Sequence, residues 1–116
     1  MSEYYSSDIS VHIGDYGYSL EFKAEDENGN PIPLNHLSGV SGICFKVISG
    51  LDYVMWKDNV SGHFIINNPS GGLFEWTVQS GFFNQIGVYE GKCILRFSGG
   101  AVITLDDLRI SVTGRP

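Results

Sequence analysis

At 116 residues the chain has the length of one domain, which buries roughly 65% of the surface its unfolded form exposes and so builds a core without metals or disulfide staples. Charged residues make up 17%, hydrophobic residues 42% and the net charge is −6; the basic residues Lys23, Lys46, Lys57, Lys92, Arg96, Arg109 and Arg115 fall singly, so no cationic run awaits phosphates and the composition argues against nucleic-acid binding. No apolar run approaches the ~18 residues that span a bilayer, and the opening MSEYYSSDIS lacks the basic and apolar regions of a secretion signal, so the expected product stays in the cytoplasm unless it leaves within a larger particle.

In chain order, the pattern is one of strands. Ile9, Val11 and Ile13 alternate with Ser10 and His12, predicting a first strand over Ile9 to Ile13 that Gly14-Asp15 ends. Tyr18 to Glu25 reads YSLEFKAE, with Tyr18, Leu20, Phe22 and Ala24 on a dry face and Ser19, Glu21, Lys23 and Glu25 on a wet one. The following DENGNPIPL is a turn and an extended tail, because Asn28-Gly29 favours a turn while Pro31 and Pro33 cannot donate to a ladder.

After an irregular connection, Ile43 to Ile48 predicts a strand with Ile43, Phe45 and Val47 inward. Ser49 to Asp52 turns into a shorter strand, Tyr53 to Lys57, expected at an exposed sheet edge. Phe64 to Ile66 and Leu73 to Val78 follow, the second with Phe74, Trp76 and Val78 inward. Phe82 to Gln85 crosses to the other sheet, and Gly87 to Phe97 is the longest strand. Ser98-Gly99-Gly100 makes a tight hairpin to Val102 to Val112, where Asp106-Asp107 calls for a bulge or an edge position to keep the carboxylates wet. The count is about seven or eight strands with turn residues every ten or so, the signature of an all-β, immunoglobulin-like antiparallel sandwich covering 1–116 as one domain, with its core over about 9–113.

Cysteine usage follows from the same alternation. Cys44 falls on the outer face beside Lys46, and Cys93 falls inward with Tyr89 and Leu95, so the two cannot approach to disulfide distance and both are expected as free thiols, as in a reducing compartment.

Recognisable chemistry is scarce. Asp26-Glu27-Asn28-Gly29-Asn30 resembles the start of a calcium loop, but Pro31 stands where such a loop needs glycine and Leu37 where it needs a bidentate glutamate. His12, His36 and His63 lie in separate elements without metal-ligand spacing, so neither metal nor cofactor is expected. Ser61 and Ser80 precede glycine without a nucleophile elbow. Asp106 and Asp107, adjacent on a strand, would point to opposite faces and could not converge on one bond. The acceptor pattern Asn59-Val60-Ser61 is incidental without secretion. No nucleophile, base and orienting group occur together, so the expectation is a protein without enzymatic activity. An aromatic platform of Tyr4, Tyr5, Tyr16, Tyr53 and Trp56 is conceivable for sugar, although Trp56 and Trp76 also suit a core.

Tyr89, at the start of the long strand, is placed like the tyrosine corner of immunoglobulin-like domains. The residue two positions on is Gly91 rather than cysteine, and the strand Ile43 to Ile48 lacks the buried tryptophan, so the chain is not of the antibody type.

Taken with Gly14-Asp15, YSLEFKAE, DENGNPIPL, GICFKVIS, GLFEWTV, GVYEGKCILRF and the terminal LRISV, the chain resembles the N-terminal immunoglobulin-like domain of phage baseplate upper proteins and related tail proteins of phages and prophages of Gram-positive bacteria, over about Ile9 to Thr113. The resemblance implies a virion structural module in a tail or baseplate, docking other tail proteins and copies of itself, and it brings no catalytic residues. Candidate contacts are the turn residues Leu51 and Asp52, the edge residues Tyr53 and Trp56, and Phe82 and Phe83 of the crossing loop. The competing reading is a carbohydrate-binding or adhesin-like sandwich that recognises the bacterial envelope.

Overall fold

A computed structural model describes residues 7–37, 42–50 and 53–114, with backbone alone at 7, 8, 106 and 107. Among these residues eight strands form two stacked sheets: β1 (Ser7–His12), β2 (Ser19–Lys23), β3 (Ile43–Ser49), β4 (Tyr53–Asp58), β5 (Phe64–Asn68), β6 (Leu73–Thr77), β7 (Gly87–Arg96) and β8 (Val102–Thr113). One sheet runs β1-β8-β7-β3-β4 and the other β2-β6-β5. The division is that of immunoglobulin-like sandwiches, in which the second, fourth and fifth long strands oppose the third and the last two. All pairings are antiparallel except β1 with β8, which run parallel from Ser7↔Leu108 to His12↔Thr113.

The alternation seen in the sequence decides which side chains enter the core. Leu20, Phe22 and Ala24 from the first edge of the small sheet meet Phe74, Trp76 and Val78 from its centre, and Phe45, Val47, Cys93, Leu95 and Ile110 close the interior from the other sheet. Trp76, Phe45 and Phe74 are fully buried. Each such ring contributes ~1.5–3 kcal/mol by leaving water, and tilted or edge-on neighbours add to it: Phe45–Trp76 centroids lie 4.8 Å apart and Trp76–Phe82 4.5 Å.

Two devices shape the last hairpin. Between Gly91↔Leu108 and Cys93↔Leu105 the register shifts, so Lys92 alone faces the two residues Asp106 and Asp107. This is the bulge that two adjacent carboxylates on a strand call for. At the hairpin tip Gly100 has φ 98°, and Phe97 N–H donates to the Ala101 carbonyl at 2.9 Å. The tyrosine-corner placement is also realised: Tyr89 Oη donates to the Ile86 carbonyl, 3.2 Å away and three residues upstream.

The two cysteines are free. Phe45 pairs with Cys93 and Cys44 with Ile94, so the thiols point to opposite faces of the same sheet. Cys44 is outward as its neighbours require, yet it is buried at 8% exposure. Burial raises its thiol above the ordinary range, while Lys57, Lys46 and Arg96 pull the other way. Burial in the core raises the Cys93 thiol still further.

Candidate functional site: an open sheet edge on an aromatic cluster

Strand β4 closes the larger sheet on one side and, among the described residues, pairs only with β3, so its second row of backbone donors and acceptors faces outward. Such an edge is a ready template for another strand. Its side chains are divided by a bulge. Val47 pairs with Trp56, but Ile48 pairs with Val54, leaving Met55 as the extra residue. Without it Val54, Trp56 and Asp58 would share one face. With it Val54 turns outward, 40% exposed, while Trp56 and Asp58 turn toward the interior. Tyr53, at the start of the strand, is 68% exposed.

Trp56 is half-buried, and its ring is engaged. Its centroid lies 5.8 Å from Phe82, 5.6 Å from Phe83 and 5.2 Å from Tyr89, and its Nε1–H donates to Asn84 Oδ1 at 3.0 Å. Phe82 and Phe83 therefore do not serve as exposed contacts. They are buried, because the crossing loop must pass from β6 to β7 over the open end of the sandwich and uses its two rings to plug it. The two rings tie the edge strand to the core.

Beneath the edge is a polar hub. Asp58, the last residue of β4, is 6% exposed. Its Oδ2 accepts the indole N–H of fully buried Trp76 at 2.9 Å and lies 2.6 Å from His63 Nδ1, and its Oδ1 accepts Val60 N–H at 3.0 Å. A carboxylate can only accept, so the proton of that imidazole contact sits on His63 Nδ1. The hub joins the edge of one sheet to the central strand of the other and orders the turn into the short 3-10 segment Ser61–His63. The only sequence signal for it was an Asp-Asn pair, which reads equally well as a solvated turn.

Of the other sequence candidates, Leu51 and Asp52 lie outside the described residues, as do Tyr4 and Tyr5. Tyr16 is exposed, on the turn between β1 and β2 and thus not on the β4 edge. Asp26 makes an Asx-type turn, its Oδ1 accepting Asn28 N–H at 2.9 Å and Asn30 N–H at 3.0 Å. Its oxygen is thereby committed to its own loop. Among the described residues no three His, Cys, Asp or Glu side chains come together at metal-ligand range, and no helix is long and apolar enough to cross a membrane.

No protein-family model and no curated protein sequence matches the chain. Among solved structures the chain is similar to the crystal structure of CopC from Methylosinus trichosporium OB3b, with 7% identity, a TM-score of 0.52, and coverage of 96% of this chain and 88% of that one. At that identity the likeness shows a shared β-sandwich fold, immunoglobulin-like in its two-sheet arrangement.

Proposed function

We propose that the protein is a non-enzymatic docking module of a phage or prophage tail or baseplate, working through protein–protein contacts. The single observation that carries the reading is the β4 edge, open among the described residues, with Tyr53 and Val54 exposed on it and Trp56, Phe82 and Phe83 packed behind it. A preformed edge costs little ordering entropy when a partner strand adds to it, because the backbone groups are already held by β3. The sequence resemblance supplies the setting, and a thinly charged surface suits a protein that spends its life against others. Partner capture is then governed by main-chain pairing along β4 and by the side chains at 53 and 54.

The envelope-sugar reading needs a free aromatic face. Tyr53 offers one, whereas the Trp56 ring and its N–H are occupied within the fold. The test is capture of the products of neighbouring tail genes by immobilised wild type and by the variant Tyr53→Lys/Val54→Lys, with folding checked by circular dichroism. Capture by wild type and its loss in the folded variant are the expected results. Equal capture by both proteins would remove β4 from the interface, and glycan-array binding without capture would replace the docking reading with the sugar one.

A further inference from the structure

The turn between β2 and the proline segment holds a reactive pair of residues under a clamp. An asparagine carboxamide can be attacked at Cγ by the backbone nitrogen of the residue that follows, and a side chain on that residue hinders the attack. Of the asparagines in this chain only Asn28 precedes a glycine. Asn30 and Asn68 precede prolines, whose nitrogen carries no hydrogen to give up. Asn28 and Gly29 are both exposed, and a Cβ built on Gly29 would meet nothing within 4 Å, so a ring closing between the two residues has open space around it.

Asp26 holds the pair closed. Its Oδ1 accepts Asn28 N–H at 2.9 Å and Asn30 N–H at 3.0 Å, its carbonyl accepts Gly29 N–H at 3.0 Å, and its own N–H donates to the Asn30 carbonyl at 2.8 Å. The Gly29 nitrogen, which must make the attack, is thereby turned to the Asp26 carbonyl and keeps its proton. The Asn28 carboxamide makes no hydrogen bond with the described residues, so the clamp acts on the nitrogen and leaves the carboxamide unrestrained. Its bonds lie at an exposed loop tip, the kind of place that opens at small cost without global unfolding.

We infer that Asn28 is the deamidation site of this chain and that Asp26 is the positioning residue that sets its pace. When the turn opens, the Gly29 nitrogen loses its proton to solvent and bonds to Asn28 Cγ. The Cγ–Nδ2 bond breaks, the amide nitrogen takes a proton from water and leaves as ammonia, and a succinimide joins the two residues. Water then adds to one ring carbonyl and breaks its bond to the ring nitrogen, with no change of oxidation state. Opening at Cγ leaves aspartate, and opening at the α-carbonyl leaves isoaspartate, whose main chain runs through the former side chain. Either product adds a negative charge beside Asp26 and Glu27. Isoaspartate also lengthens the main chain of a tight turn by one methylene, so Asp26 and Asn30 no longer meet and the Glu25↔Pro31 bridge loses its closure. Ile32 N–H still reaches the Ala24 carbonyl at 2.8 Å, so the loosening stops there. The turn is a one-way latch, and the inference stands independently of the docking reading.

The experiment incubates the folded full-length chain in warm, mildly alkaline buffer. Peptide mapping by mass spectrometry reads the change from amide to carboxyl at each asparagine, and chromatography separates isoaspartate from aspartate. Asn28 is expected to convert before every other asparagine, mainly to isoaspartate, and more slowly in the folded chain than in the chain unfolded by urea. Asp26→Ala, with folding checked by circular dichroism, is expected to convert roughly threefold to tenfold faster than wild type, the factor that one modest turn bond is worth. Asp26→Asn keeps an oxygen acceptor in the same place and is expected to stay within about twofold of wild type. Should Asp26→Ala fail to fold, Asp26→Glu, whose longer arm misplaces the oxygen, replaces it with the same expectation. Conversion first at another asparagine, or a folded chain that converts as fast as the unfolded one, would overturn the inference. Equal rates in wild type and the folded Asp26→Ala variant would overturn the part assigned to Asp26.

Discussion

Replacing Asp58 by alanine removes the acceptor of a fully buried indole. Trp76 is 0% exposed, so its Nε1–H cannot turn to water and is left with the desolvation penalty of an orphaned donor, ~1–3 kcal/mol. The turn bond to Val60 N–H adds ~0.5–1.5 kcal/mol, whereas the His63 side chain, 29% exposed, recovers most of its lost contact from water. The sum is a loss of about 2–4 kcal/mol. With an unfolding entropy of ~2.1 cal/mol/K per residue, a domain of 116 residues should melt roughly 8–16 °C lower. Calorimetry and urea unfolding followed by tryptophan fluorescence measure this directly. The indole bond is isolated by a cycle with Trp76→Phe: the double variant should be more stable than the two single losses predict by at least ~1 kcal/mol, since residues in direct contact couple. A loss under 0.5 kcal/mol for Asp58→Ala, or strict additivity in the cycle, would refute the assignment of Asp58 as the polar link between the sheets.

Further outcomes follow from burial and backbone geometry. Burial in the fold raises the Cys93 thiol, and also that of Cys44, above the ordinary thiol range, so the unfolded chain releases those protons first. The stability they contribute is complete below about pH 9 and is lost as pH rises beyond it; melting temperature should fall across alkaline pH, and Cys93→Val should flatten that fall in part, with an unchanged slope counting against burial as its cause. In the native protein Cys93 should resist alkylation, and intact mass should show no reductant-sensitive loss of two hydrogens. Gly72 has φ +72°, and a Cβ there would stand 2.6 Å from the Ala24 carbonyl oxygen and 3.0 Å from that of Ile32; Gly72→Ala should cost more than the ~1 kcal/mol of a left-handed non-glycine residue, and a chemical-denaturation midpoint equal to wild type would contradict the close approach.

The strands themselves were legible because side-chain direction along an extended chain is a local property. YSLEFKAE shows which of its residues are dry without knowledge of any partner, and the observed burial of Leu20, Phe22 and Ala24 matches it. The two-sheet architecture followed from the number and spacing of such segments, and the tyrosine corner from the position of Tyr89. The β4 edge was anticipated from a short strand between turns. The docking role proposed for it has no counterpart in the alternation, because a partner leaves no periodicity in the chain it meets.

What only the tertiary structure decided depends on register and on which elements lie against each other. One extra residue, Met55, reverses the facing of β4, and a bulge of that kind has no signal in alternation. Phe82 and Phe83 looked like exposed loop rings by their place in the chain, but the open end of the sandwich needed filling and they fill it. Nothing in the chain around Asp58 announces the buried indole whose N–H it accepts. The lysines at 46, 57 and 92 are distant in sequence and adjacent in space, because hydrogen-bonded ladders align residues by pairing and not by chain position. Sequence by itself thus determined the sandwich and most of its dry faces, which depend on local geometry, while the bulge, the hub and the lysine row depend on long-range pairing that no single segment encodes.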